Sequence, residues 1–264
     1  MMTKWPVSSK ADLSGRIAIV TGAARGIGQG IALALAEVGA AVLAADLLPC
    51  DDTVGRIKAL GGQAIGFKVD VRKKAEVQAM VEAAVNAWGT VHILVNNAGT
   101  CTRVALEDIT EEQWDLDMDT GAKGCLFAIQ AVLPYMRKQQ YGKIVNISSV
   151  SGEAGGAVSK SNDTKEVKGS RSGPGYAANK GAIIALTKWV AKDVACDGIY
   201  CNSVAPGPIA TPMTAGFDYG VQALPIARMG QPEDIAQAVV FLASDMSNYC
   251  TGHILDINGG MYMK

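Results

Sequence analysis

RIAIVTGAARGIGQGIALALAEVG, residues 16–39, decides how this chain folds. Arg16 to Val20 opens it as a short apolar run with β-branched side chains, the pattern of a parallel strand buried on both faces. Gly22, Gly26 and Gly28 follow at once, and then an Ala/Leu-rich helix over Gln29 to Val38, closed by Gly39. The order strand, glycine turn, helix gives the glycines their meaning. They let the backbone approach a pyrophosphate, and the free N–H groups at the helix N-terminus face it. A nucleotide site is expected at this turn.

Outward from there, Ala41 to Ala45 reads as a second buried strand, ending at Asp46. A carboxylate at that strand end can accept hydrogen bonds from ribose hydroxyls and would repel a 2′-phosphate. The expected cofactor is therefore NAD. Arg25 in the glycine turn argues the other way, but a carboxylate beside a phosphate is a like-charge clash, so Asp46 carries more weight. Strands and helices then alternate to the end of the chain, with helices at 52–60, 73–88, 110–139, 176–197 and 232–243. Strands are read at 63–69, 91–95, 143–147, 199–204 and 253–257, and Thr110 with Gln113 forms a capping box. The implied fold is α/β: a single doubly wound parallel sheet of Rossmann type, about seven strands with helices on both faces. No internal repeat or distinct linker divides it. Residues 1–12 read as an N-terminal extension and 13–264 as one domain.

Composition narrows the function. Of 264 residues 49 % are apolar and 19 % charged, enough for a large core. The net charge of −1 offers no basic excess for nucleic acid, and no apolar run reaches the length of a membrane span. The polar stretch Met1 to Leu13 lacks a signal-peptide core. Six cysteines are scattered without a CxxC, and neither His completes a zinc pattern, so no metal site is expected and the thiols read as reduced and cytoplasmic.

Chemistry enters with Tyr176-Ala177-Ala178-Asn179-Lys180. On a helix this spacing puts phenol and ammonium on one face, a turn apart. A neighbouring cation favours phenolate, and lowering the phenol by about 2 units would take roughly 2.7 kcal/mol of differential interaction. The pair reads as a proton donor and acceptor usable near neutral pH.

These motifs resemble the short-chain dehydrogenase/reductase family: Thr21-Gly22-x-x-x-Gly26-x-Gly28, Asp70 after the third strand, Asn96-Asn97-Ala98-Gly99, a Ser after the fifth strand, Tyr176-x-x-x-Lys180, Asn202-x-x-x-Pro206-Gly207 and Thr251-Gly252. The resemblance spans nearly everything from Leu13 onward. It implies that Tyr176 is the general acid/base and that Lys180 acidifies it and holds the nicotinamide ribose. Ser149 would bond the substrate oxygen, with Ser151 as fallback. It also implies that Thr21, Gly22, Arg25, Gly26, Ile27 and Gly28 line the pyrophosphate turn. Asp46 and Leu47 would meet the adenosine ribose, Asp70 and Val71 the adenine. Asn97, Ala98 and Gly99 would lie along the inner cofactor, and Pro206, Gly207, Ile209 and Thr211 near the nicotinamide. A homotetramer is implied.

Three positions depart from the family pattern. Gly121 stands where a helix Asn helps anchor a water linking the catalytic Lys to solvent, so slower proton exchange is expected. Asn179 stands where Ser, Ala or Thr is commoner. Ser149 and Tyr176 are about fourteen residues further apart than usual. The extra segment, 153–173, reads either as a solvated excursion or as an active-site rim selecting a polar substrate with help from Arg103. Residues 211–228 read as a substrate-side lid, with Met213 and Phe217 facing the pocket, or equally as packing. The expected activity is NAD(H)-dependent interconversion of a secondary alcohol and a ketone, on a sugar, polyol or other small polar compound. The alternatives are an NADPH-dependent 3-oxoacyl thioester reductase and a weakly active NAD-binding regulator.

Overall fold

The computed structural model describes residues 11–156 and 172–264. Seven strands form one parallel sheet in the order β3-β2-β1-β4-β5-β6-β7. They are β1 (Ile17–Thr21), β2 (Ala41–Asp46), β3 (Ala64–Lys68), β4 (Ile93–Asn96), β5 (Gly142–Ile147), β6 (Ile199–Pro206) and β7 (Ile254–Ile257). The helices are α1 (Gly26–Glu37), α2 (Asp51–Ala59), α3 (Lys74–Trp88), α4 (Glu111–Met118), α5 (Gly124–Gln139), α6 (Val150–Ala154), α7 (Pro174–Val194) and α8 (Pro232–Ala243).

Strand side chains alternate between two cores, as a period of two requires. Ala18, Val20, Val42, Ala44, Ile93 and Val95 pack on one face with Ile31 and Leu35 of α1 and Val239 and Leu242 of α8. Ile19, Leu43, Ala45 and Leu94 pack on the other, against Val77 and Met80 of α3, Ile129 and Val132 of α5, and Val190 and Val194 of α7. Both faces are covered, which is why these strands are apolar throughout.

The chain winds from β1 outward to β3, then crosses back to place β4 beside β1. That reversal opens a crevice at the carboxyl ends of the two strands, the place where such sheets bind ligands. The capping box is present: Thr110 Oγ1 accepts from Gln113 N–H at 3.3 Å, and Gln113 Oε1 accepts from Thr110 N–H at 3.1 Å. The long helix read from 110 to 139 is in fact α4 and α5 joined by a π-helical turn, Asp119–Lys123. Most of the expected extension 1–12 and of the 153–173 segment lies outside the described residues.

Candidate active site

The crevice is built by hydrogen bonds between β1 and β4. Thr21 Oγ1 accepts from Asn97 N–H at 3.0 Å and from Ala98 N–H at 3.1 Å. The Asn97 side chain answers by donating Nδ2 to the Thr21 and Gly22 carbonyls at 3.0 and 3.1 Å. Glycine is required where these segments meet. A Cβ on Gly22, whose φ is +67°, would lie 2.7 Å from Asn97 Nδ2, and one on Gly28 would overlap the Gly22 carbonyl. The result is a backbone-lined cradle at the N-terminus of α1, the shape a pyrophosphate needs.

A cavity of about 500 Å³ runs from this cradle to Tyr176 and Lys180. Every cofactor-side residue expected from the sequence lines it except Thr21 and Gly28, which lie behind the wall and hold it. Arg72, Leu48, Leu116 and Thr120 also line it and were not foreseen. Asp70 does not face the cavity as a free carboxylate. It holds the Arg72 guanidinium through two bonds of 2.8 and 2.7 Å, and that hydrogen-bonded pairing lowers its pKa.

Asp46 is also committed. Its Oδ2 accepts from Ala24 N–H at 3.0 Å and its Oδ1 from Leu48 N–H at 3.0 Å. The carboxylate braces the glycine turn against the end of β2, and the exposed Arg25 lines the same end of the cavity.

A second cavity, of about 290 Å³, opens on the far side of Tyr176. Ser149, Tyr176, Gly207, Met213 and Thr214 line both. Its wall is mainly apolar: Val150, Ala154, Pro208, Met213 and Met261, with Cys101, Ser151 and Tyr219. These come from four separate stretches of chain, and no sequence periodicity connects them. Ser149 caps α6, its hydroxyl accepting from Ser151 N–H at 3.1 Å, and it hydrogen-bonds Tyr176. Lys180 is buried and donates Nζ to the Ile147 carbonyl at 2.8 Å.

The Tyr176–Lys180 pair does not behave as the helical spacing alone suggests. Lys180 Nζ lies 5.6 Å from the Tyr176 ring centroid. Burial dominates both groups: it raises the phenol well above its ordinary value, opposed by the Ser149 hydrogen bond, and it lowers the ammonium.

Arg103 lines the second cavity and also bonds to the 211–220 segment. Nη2 donates to the Met213 carbonyl at 3.1 Å and to Tyr219 Oη at 3.2 Å, and the guanidinium lies 4.4 Å from the Phe217 ring centroid. Phe217 lines neither cavity and serves as the platform for Arg103. Asp117, fully buried on α4, sets the loop before Arg103 by accepting from Thr100 Oγ1 at 2.7 Å and from Thr102 N–H. Sequence reading missed Asp117, because a carboxylate on an otherwise acidic helix carries no mark of burial.

Comparison with known proteins agrees with this geometry. A family model described as enoyl-(acyl carrier protein) reductase matches residues 22–262. The 3-oxoacyl-(acyl-carrier-protein) reductase of Thermotoga maritima is 37 % identical over 256 residues, 94 % of this chain and 98 % of that one. The chain belongs to the short-chain dehydrogenase/reductase superfamily. It is an NAD(P)-dependent oxidoreductase of that superfamily. Among solved structures, a protein of Sinorhizobium meliloti described as a short-chain alcohol dehydrogenase by similarity is 35 % identical with a TM-score of 0.85, covering 95 % of this chain and 98 % of that one. A protein of Agrobacterium tumefaciens described as a 2-deoxy-D-gluconate 3-dehydrogenase is 35 % identical with a TM-score of 0.83 over the same shares, and it holds bound NADP.

That last finding, with the full-length similarity to 3-oxoacyl-(acyl-carrier-protein) reductases, overturns the expectation of NAD as the cofactor. The physical reason lies in Asp46. Both its oxygens accept backbone N–H groups, which hold the carboxylate in the turn, and the Arg25 cation lines the same cavity. Among the described residues no cluster of three or more potential metal ligands occurs, and no helix is long and apolar enough to cross a membrane.

Proposed function

We propose that this protein is an NADPH-dependent reductase acting on a 3-oxo group carried by an acyl thioester. The observation that carries the reading is the apolar second cavity, with Val150, Ala154, Pro208, Met213 and Met261 beside Tyr176 and Ser149. A hydrocarbon chain is matched to those five side chains, while Arg103, Ser151, Thr214 and Tyr219 make up the polar part of the lining. The full-length relatives that are 3-oxoacyl-(acyl-carrier-protein) reductases support the same reading.

The glycine cradle and the cavity behind it fit a dinucleotide, with Gly22, Gly26 and Asn97 at the pyrophosphate and Arg25 toward the adenosine end. NADPH, when bound, supplies the hydride for the carbonyl carbon. Ser149 donates a hydrogen bond to the carbonyl oxygen and polarises it. Tyr176 gives its proton to that oxygen as the alcohol forms. Lys180, anchored at Ile147, stands behind Tyr176 as the cation that stabilises the phenolate left after transfer.

A series of 3-oxoacyl thioesters of increasing chain length tests this reading. We expect kcat/KM to rise with each added methylene until the cavity is filled, because each buried methylene contributes about 0.8 kcal/mol. Flat dependence on chain length, together with faster turnover of a polyol or keto-sugar, would refute it.

A further inference from the structure

Helix α7 carries a buried polar side chain that the roles above leave unused. Asn179, one residue before Lys180, is 0 % exposed. Its Oδ1 accepts from the Ala122 N–H at 2.7 Å. Ala122 belongs to the π turn Asp119–Lys123 that joins α4 to α5. Asn179 Nδ2, by contrast, has no hydrogen-bond partner among the described residues. Buried amide donors are rarely left without an acceptor, and where the protein offers none an internal water supplies it.

Gly121 makes this arrangement possible. A Cβ at position 121 would overlap Asn179 Nδ2, Oδ1 and Cγ together. The two positions are therefore complementary: the carboxamide of one helix fills the volume that a side chain on the other would need. Thr120, from the same π turn, lines the cofactor-side cavity, so whatever fixes the turn also fixes that wall. The turn's own charges are engaged with each other, Lys123 Nζ lying 2.6 Å from Asp119 Oδ1.

We propose that Asn179 is a positioning residue for the Lys180 end of the site, pinning the π turn through Oδ1 and holding an internal water through Nδ2, with Gly121 as its necessary partner. The inference rests on Tyr176 and Lys180 being the reacting pair, as proposed above. The groups that bear on Lys180 are Tyr176 on its own helix, Asp117 from α4, Cys125 from α5 and Cys101 from the loop after β4. None of these is a solvent-exposed acid, and the turn that Asn179 pins carries Thr120 on the wall of the same cavity as Lys180.

Three variants separate the parts. Asn179→Leu keeps volume and removes both polar atoms. Asn179→Asp keeps the acceptor for Ala122 and removes the donor. The pair Gly121→Asn with Asn179→Ala returns one carboxamide to the same space from the opposite helix. We expect N179L to lower kcat on the order of tenfold and to shift the kcat–pH profile, since small displacements of reacting groups have effects of that size. N179D should shift the profile with less loss of thermal stability, and the paired variant should recover both rate and profile. A high-resolution structure should show an ordered water within hydrogen-bonding distance of Nδ2. If N179L lowers Tm while kcat and its pH profile stay unchanged, or if Nδ2 faces only carbon, Asn179 is filler and the proposal fails. Should N179L not fold, N179D and the paired variant decide by the same readouts. Tyr176→Phe serves as control: turnover retained there overturns the reading of the site itself, whereas turnover lost there beside unchanged N179 variants overturns this proposal alone.

Discussion

Replacing Arg103 with Ala tests how the substrate side of the site is closed. The guanidinium donates at 3.1 Å to the Met213 carbonyl and at 3.2 Å to Tyr219 Oη, and lies 4.4 Å from the Phe217 ring centroid. A hydrogen bond from a charged donor contributes about 1.5–3 kcal/mol when dry, and about 1 kcal/mol is reasonable for this half-exposed side chain. The cation–π contact adds about 0.5–1 kcal/mol. Together these favour the docked 213–219 segment by about 2–3 kcal/mol, a factor of roughly 30–150 in the ratio of docked to undocked forms. R103A should raise KM for a 3-oxoacyl thioester on the order of tenfold, leave NADPH affinity nearly unchanged, and render residues 213–223 sensitive to limited proteolysis. R103K, which keeps the charge but not the planar fork, should fall between. Unchanged proteolysis, with a KM that rises only for anionic substrates, would refute the latch. It would restore the role the sequence first suggested, a cation facing the substrate.

Two further outcomes follow from charges held by hydrogen bonds. Asp46→Ala should weaken NADPH binding about fivefold by freeing the Ala24 and Leu48 N–H groups that hold the glycine turn, as judged by fluorescence titration. Tighter binding would show that the carboxylate acts chiefly by repelling a 2′-phosphate. Lys143 is 0 % exposed, bonded to Asn248 Oδ1 at 2.7 Å and set 4.0 Å from the Tyr200 ring centroid, and burial lowers its pKa to about 8. The folded pKa lies below that of the unfolded chain, so the unfolded state binds the proton more tightly. The Lys143 contribution to stability should therefore rise as pH increases from about 8 toward 10.4, on the order of 1 kcal/mol after screening. Urea denaturation across that range should show the rise in the native chain and its absence in Lys143→Met, and parallel curves would contradict it.

Much of the fold was legible because its signals are local. The strand at 16–20, the glycine turn and the Thr110–Gln113 capping box each follow from residues a few positions apart. The π turn was not legible, and the contact made at it, Asn179 against Gly121 and Ala122, joins residues far apart in the chain. The cofactor expectation failed for a similar reason. Asp46 at the end of β2 was correctly placed, but nothing in its neighbours along the chain reveals that both oxygens are taken by backbone N–H groups. Tyr176 and Lys180 were found by spacing, yet the direction of the phenol's shift depends on burial, which spacing does not report. Arg103 was read as a substrate cation from its charge, and charge does not report its bonds to Met213 and Tyr219, more than a hundred residues further on. The apolar cavity was least visible, since its wall gathers side chains from α6, the loop after β6 and the last residues of the chain.

The central claim is tested most directly by initial rates on one 3-oxoacyl thioester with NADPH and with NADH. The account predicts kcat/KM at least about tenfold higher with NADPH, corresponding to roughly 1.4 kcal/mol or more of differential transition-state stabilisation. Equal or faster turnover with NADH, or no turnover of the thioester with either, would contradict it.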